Sequence, residues 1–285
     1  MTANARRKRL RAILDGETCV HPASTHDPIS ARLAAEIGFE CGMLAGSVAS
    51  LSVLGAPDSI LLTLTEFAET ARRIGRAADL PVIADADHGY GNALNVMRTV
   101  EELETAGIAG LTIEDTDLPR PFGDGGQALL PLEEGLGKMK AAVAARTDPD
   151  LCIFARTSAL GIAGMDEALA RVRAYRETGC DGIFLTGLKT PDDVKTIAQA
   201  ARMPLLLGGA GEHLRDMKFL AAHGVRVVLQ GHQPFAAAVA AIERTMRALR
   251  AGEPLPDLAS AETMDRLITG ETWRRRTKAY LTPGG

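Results

Sequence analysis

The chain has 285 residues, 46% hydrophobic and 24% charged, which is the composition of a soluble globular protein with one large core or two ordinary ones. Its apolar runs fall far short of the ~18 residues that cross a bilayer, and no secretory apolar segment follows the basic N-terminus. A net charge of −4 and a pI near 5.9 do not supply the sustained basic surface that nucleic-acid phosphates demand, so the expectation is a cytoplasmic protein with neither membrane nor nucleic-acid partners.

Strand-like segments recur along the chain. The first is "TCVHPAS" after Glu17. The second lies in "AAEIGFECGMLAGS" from Ala34, where a helical pattern closes on Gly38 and an apolar run follows. "LPVIADAD" after Asp79 is the third. "LETAGIAGLTIEDT" from Leu103 repeats the helix, glycine and strand phrase at Gly107, and "LCIFARTS" after Asp150 is the fifth strand. "YRETGCDGIFLTG" from Tyr175 turns at Gly179, "MPLLLGG" after Arg202 is the seventh, and "FLAAHGVRVVLQG" from Phe219 turns at Gly224 into the eighth. Between them lie amphipathic patterns such as "ALNVMRTVEELETAG" and "MDEALARVRAYRETG", apolar at spacings of three and four. Cys19, Cys41, Cys152 and Cys180 show no CxxC or zinc spacing and read as reduced core residues. The basic runs "RRKRLR" and "WRRRTK" read as solvated helix ends or subunit contacts.

About eight βα units in about 250 residues predict the α/β class and a closed (β/α)8 TIM-type barrel. An open doubly wound sheet competes, but no GxGxxG follows the first strand. No linker or composition shift divides the chain, so it reads as one barrel domain over 1–285, with 254–285 a C-terminal helical extension.

In such a barrel the chemistry lies at the C-terminal strand ends. Asp85 and Asp87, two residues apart on an extended chain, point to the same side, and Glu114 joins them from the next strand. Three carboxylates in a low-dielectric mouth repel one another unless a cation neutralises them, and hard oxygen ligands select Mg2+ or Mn2+. Each acid taken singly has a structural alternative, with Asp87 capping a helix or Glu114 pairing with an arginine; the set of three favours a metal. Arg156 at strand five is suited to gripping a carboxylate substrate. His232 follows Gly231 at the end of strand eight, and Gly46 and Ser47 offer backbone N–H groups and a hydroxyl to a carboxylate.

Together "DADHGYGN", "TIEDT", "ART", "GGAG" and "QGH" resemble the isocitrate lyase and phosphoenolpyruvate mutase superfamily, most closely its oxaloacetate decarboxylase branch. The similarity runs from "CVHPASTHDPISARLAAEIGFECGMLAGSVASL" to the region of His232. The resemblance implies a (β/α)8 barrel, Mg2+ near Asp85, Asp87 and Glu114, and a bound 2-oxo acid or its enolate. By the same resemblance Asp85 matches the metal-binding position, Ser47, Arg156 and His232 match substrate-binding positions, and the chain forms a homo-oligomer, a dimer or tetramer exchanging a helix. Two departures bear on chemistry. The segment after strand four, "DTDLPRPFGDGGQALLPLEE", lacks the cysteine-bearing motif of the lyases, and of the asparagine or threonine that mutases and hydrolases use there the asparagine is missing; after "ART", where many members carry Asp or Asn, then Ala, then an acidic residue, Ser158, Ala159 and Leu160 stand. A retro-aldol lyase must protonate a departing carbanion, whereas decarboxylation releases neutral CO2 and needs only an electron sink. The expectation is metal-dependent decarboxylation of oxaloacetate, with Asp85, Arg156 and His232 carrying the reaction and Gly123 to Gly126 hinging a lid. A carbon–carbon lyase or hydrolase of another diacid, or a barrel that binds a dicarboxylate without turnover, are the alternatives.

Overall fold

The alternation of apolar strand and amphipathic helix folds into one sheet of eight parallel strands in strict chain order. The computed structural model describes residues 2–123, 125–209 and 211–282. Helix α1 (Ala3–Asp15) precedes β1 (Ala23–Ser24); α2 (Pro28–Ile37) leads to β2 (Gly42–Leu44); α3 (Gly46–Leu54) and α4 (Leu64–Ala77) lead to β3 (Val82–Asp85). Then come α5 (Ala93–Thr105), β4 (Gly110–Glu114), α6 (Leu132–Ala145), β5 (Cys152–Thr157), α7 (Ala159–Ile162), α8 (Met165–Arg176) and β6 (Gly182–Leu185). The sheet ends with α9 (Pro191–Ala201), β7 (Leu205–Leu207), α10 (Met217–Ala222) and β8 (Val225–Val228). A parallel bridge between Val20 and Val227, with Val20 N–H donating to Arg226 O at 2.9 Å and Val228 N–H to Val20 O at 3.0 Å, joins the first strand segment to the last. This is the (β/α)8 fold that the strand spacing predicts.

Local chemistry sets the helix boundaries. Thr63 and Glu66 form a reciprocal capping box on α4, and Asn92 accepts from the N–H groups of Leu94 and Asn95 to start α5. The four glycines read as helix ends, Gly38, Gly107, Gly179 and Gly224, all take positive φ.

Side-chain alternation divides the core into two layers. Met43, Ile83, Phe154, Phe184, Leu206 and Val227 fill the barrel interior together with Leu10 and Leu14 of α1. The outward residues, such as Leu44, Ile113, Ile153 and Ile183, pack with the helices. Helix α1 therefore plugs the N-terminal end of the barrel, and a Cβ on Gly110 would come within 2.8 Å of both Leu10 and Phe154. This corrects the reading of "RRKRLR" as a solvated end. Arg7 is buried, its Nε donating to Ile108 O at 3.1 Å and its Nη1 2.5 Å from Asp148, and Arg11 pairs with Asp181 at 3.0 Å. The run fastens the plug by satisfying carbonyls and carboxylates at the barrel's base.

The cysteines are free. Burial pushes Cys19 up to about 11 and Cys41 and Cys152 up to about 12, which leaves them as inert packing groups. No helix among the described residues is long and apolar enough to cross a membrane.

The chain divides into two compact units, Met1–His232 and Gln233–Gly285. The second comprises α11 (Gln233–Ala251), α12 (Ala261–Leu267) and α13 (Gly270–Leu281). Within it Arg274 of the "WRRRTK" run pairs with Asp265 at 2.6 Å, and Arg276 lies over the Trp273 ring.

Candidate active site

Strand register places the polar residues at the mouth. Asp85 of β3 is level with Thr112 of β4, Glu114 with Arg156 of β5, and Arg156 with Phe184 of β6. All are inward positions, and the polar ones lie above the hydrophobic interior layer to which Phe184 belongs. Arg156 Nη1 lies 2.5 Å from both Asp85 oxygens, and the Thr112 hydroxyl donates to Asp85 Oδ1 at 2.9 Å. Arg156 Nε is 3.8 Å from Glu114 Oε2, and the guanidinium sits over the Phe184 ring, 5.4 Å from its centroid. The Thr116 hydroxyl donates to Glu114 Oε2 at 2.6 Å.

Asp87 stands just beyond β3 with φ +47, a left-handed conformation that turns the chain back so that Asp87 O accepts from Glu114 N–H at 2.8 Å. Its carboxylate lies against Gly46, where an added Cβ would meet Oδ2 at 2.7 Å. Gly46 thus makes room for Asp87 at the start of α3, and half-buried Ser47 follows in the same turn. His232 accepts or donates at Nδ1 to the Ser24 hydroxyl, 2.9 Å away. The predicted residues Asp85, Asp87, Glu114 and Arg156 therefore meet in one cluster, with Gly46 against Asp87 and His232 electrostatically coupled to Asp85.

Strand-end reading did not find Asp58. It comes from the connection between α3 and α4, yet it faces Asp85, Arg156 and His232. Asp115, the residue after Glu114 at the same strand end, turns the other way. It is buried behind the strand with Arg171 at 2.8 Å and Tyr175 Oη at 2.6 Å, as the alternation of a strand requires. Nor do the other histidines join the cluster: His21 Nδ1 bonds Val228 O across the barrel seam, and burial holds His88 down at about 4.

The cluster borders a cavity of about 500 Å3 lined by Asp58, Asp87, Glu114, Arg156, Ser158 and the segment after β4. That segment closes on itself, with Asp117 N–H donating to Ala128 O and Leu130 N–H to Asp115 O. It also brings Arg120 to the cavity, a second cation that strand-end reading missed. Asp124 lies outside the described residues.

Negative charge is in excess here. Burial, then Asp85, Glu114 and Asp58, push Asp87 well above the carboxylate range against the pull of Arg156; burial likewise raises Glu114 and Asp58. Four carboxylates face one partly buried guanidinium, a donor set that fits a hard divalent cation. Among the described residues no three His, Cys, Asp or Glu side chains converge closely enough to enclose a metal alone. A cation at Asp85, Asp87 and Glu114 would therefore complete its coordination with water and substrate, as Mg2+ commonly does.

A pH dependence follows. With their folded-state values raised, Asp87 and Glu114 hold protons that the unfolded chain has released, so their stabilising contribution is complete below about pH 4 and is lost as pH rises through the raised values. In chelator, the melting temperature should carry a downward component with rising pH that Asp87→Asn reduces by Asp87's share. A pH–melting slope identical in the two proteins would show that Asp87 carries no such strain.

Residues 10–250 match the phosphoenolpyruvate phosphomutase family. The chain is 53% identical over 287 residues to an oxaloacetate decarboxylase of Bradyrhizobium sp. strain BTAi1, covering 100% of both chains. Among solved structures it is similar to oxaloacetate acetylhydrolase in complex with 3,3-difluorooxalacetate, with a TM-score of 0.84, 30% identity and coverage of 99% of this chain and 98% of that one. It is also similar to phosphonopyruvate hydrolase in complex with oxalate and Mg2+, with a TM-score of 0.85, 33% identity and coverage of 99% and 100%. With the whole barrel matched and the acidic mouth built from its strand ends, the chain belongs to the phosphoenolpyruvate phosphomutase family.

Proposed function

We propose that this chain decarboxylates oxaloacetate to pyruvate and CO2 with a divalent cation, Mg2+ or Mn2+, held at Asp85 with Asp87 and Glu114 beside it. Identity of 53% to an oxaloacetate decarboxylase over the full length of both chains carries the reading. The chemistry of the site supports it: the segment from Thr116 to Leu130 that borders the cavity holds no cysteine, histidine or lysine, hence no thiol or imidazole to protonate a retro-aldol carbanion. The cation, when bound, supplies the Lewis acidity that draws the electrons of the breaking C3–C4 bond into the C2 carbonyl.

The protein's own residues orient the substrate and stabilise charge. Arg156, immobilised between Asp85 and the Phe184 ring, engages the C1 carboxylate and the developing enolate oxygen. Gly46 and Ser47 present first-turn N–H groups of α3 to the same carboxylate. Burial lowers His232, so it is neutral at pH 7; with Nδ1 engaged by Ser24, Nε2 is the nitrogen that bonds substrate, while the proton that converts the enolate to pyruvate at C3 comes from solvent. Arg120 and the segment after β4 screen the cavity from water.

Along α11 the exposed residues Val239, Ile242, Met246 and Leu249 follow helical spacing and form an apolar stripe. That stripe supports a homo-oligomer, dimer or tetramer, which sedimentation measures directly. A cytoplasmic location accords with the free thiols.

The deciding experiment offers oxaloacetate, methylisocitrate and phosphonopyruvate in parallel with Mg2+, subtracting metal-catalysed background. The expected result is pyruvate from oxaloacetate and negligible turnover of the others. Oxalate in place of pyruvate would assign hydrolysis instead; strong methylisocitrate cleavage would assign lyase chemistry; no turnover of any would leave a dicarboxylate-binding barrel.

A further inference from the structure

The turn after β3 carries a side chain that the proposed chemistry does not use. Tyr90 has φ +60, a conformation that disfavours a bulky residue, and it sits between Gly89 at φ +77 and Gly91 at φ +145. Its ring packs against Phe67, 6.2 Å between centroids, and against His88, 6.0 Å away. Its hydroxyl oxygen is buried and has no hydrogen-bond partner among the described residues. Leaving a hydroxyl so costs free energy, and a phenylalanine would make the same ring contacts without that cost. The groups that act on the hydroxyl electrostatically are all acidic: Asp87, Asp85, Asp58 and Glu66. Backbone strain and an unsatisfied buried hydroxyl beside an acidic cluster together point to a partner that is not part of the polypeptide.

We propose that Tyr90 is a positioning residue of this site: its hydroxyl is the fixed acceptor for one water of the cation's hydration shell, whose other hydrogen goes to an Asp87 oxygen. This rests on the reading of the carboxylate cluster as a cation site. Mg2+ keeps several waters when it binds protein, and only a minority of its coordination comes from side chains. A rigid aromatic arm anchored on Phe67 fixes one such water, and with it the orientation of Asp87, whose carboxylate is otherwise bounded by Gly46.

The test is Tyr90→Phe. Mg2+ is titrated calorimetrically into the parent, Tyr90→Phe and Asp85→Ala proteins, and each is melted in chelator. Tyr90→Phe should bind Mg2+ about tenfold more weakly than the parent, the loss typical of a group one hydrogen bond removed from a metal. Its melting temperature in chelator should be unchanged or raised, because an unsatisfied hydroxyl has gone and the ring remains. In oxaloacetate turnover the Mg2+ activation constant should rise by the same factor, with kcat at saturating Mg2+ little altered. Mg2+ affinity within about twofold of the parent overturns the role of Tyr90 while leaving the cation site standing. A Tyr90→Phe protein that melts lower in chelator, or fails to fold, makes Tyr90 a structural prop and overturns it as well. A parent protein that binds no Mg2+, or an Asp85→Ala protein that binds it as well as the parent, overturns the cation site and the role of Tyr90 together.

Discussion

Asp85→Ala should lose metal-dependent decarboxylation by about 10³-fold or more while keeping its fold, a loss of about 4 kcal/mol of transition-state stabilisation. Asp85 bonds Arg156 and Thr112 at the mouth and is not one of the residues of the hydrophobic layer beneath, so its removal takes no apolar group from the core. Deleting one member of a buried ion pair ordinarily destabilises by about 3–5 kcal/mol, because the partner is left uncompensated. Here the balance of charge reverses that expectation. Glu114 and Asp87 remain to face Arg156, and the repulsion that raises Asp87 loses one of its largest sources. The variant should therefore melt close to the chelated parent and gain nothing from Mg2+. Asp85→Asn, which keeps the Thr112 contact and the shape, should be nearly as inactive, separating charge from packing. Wild-type turnover by either variant under chelator-buffered Mg2+ would remove Asp85 from the metal site.

The path from sequence to this site was direct where period-two alternation applied and failed where it did not. Asp85, Glu114 and Arg156 sit on strands whose inward positions follow from counting, and the same count, taken one step further, places Thr112 inward beside Asp85. It also turns Asp115 outward to Arg171 and Tyr175, which a list of strand-end polar residues cannot distinguish from Glu114. Asp87 reaches the cluster through a left-handed turn, not by extending the strand. Asp58 and Arg120 arrive from connections, whose course depends on tertiary packing and leaves no periodic signature. The barrel itself was legible because eight repetitions of helix, glycine and apolar run leave few other ways to bury the strands. The plug was not: a short helix rich in arginine reads as solvent-facing until Leu10 and Leu14 are seen inside the barrel and Arg7 bonded to carbonyls at its base.

Arg156→Lys, which conserves charge, should cost about 10²-fold in kcat/KM, about 2.7 kcal/mol. The guanidinium does three things at once: its Nη1 bonds both Asp85 oxygens, its Nε lies 3.8 Å from Glu114, and it sits over Phe184, 5.4 Å from the ring centroid. A lysine ammonium is a compact point charge that satisfies one carboxylate but cannot present a planar fork to a substrate carboxylate while still holding Asp85. Asp85, freed from a fixed partner, would sample orientations unsuited to a cation, so the Mg2+ activation constant should change together with KM. How the loss divides is diagnostic. A grip made equally in ground and transition states raises KM alone, whereas a grip that tightens as charge develops on the enolate oxygen lowers kcat. The residue's position beside the carboxylates that would hold the cation, where that charge appears, favours the second outcome, with most of the loss in kcat. Steady-state constants unchanged from the parent would reduce Arg156 to a charge-balancing ion pair, which a lysine serves as well.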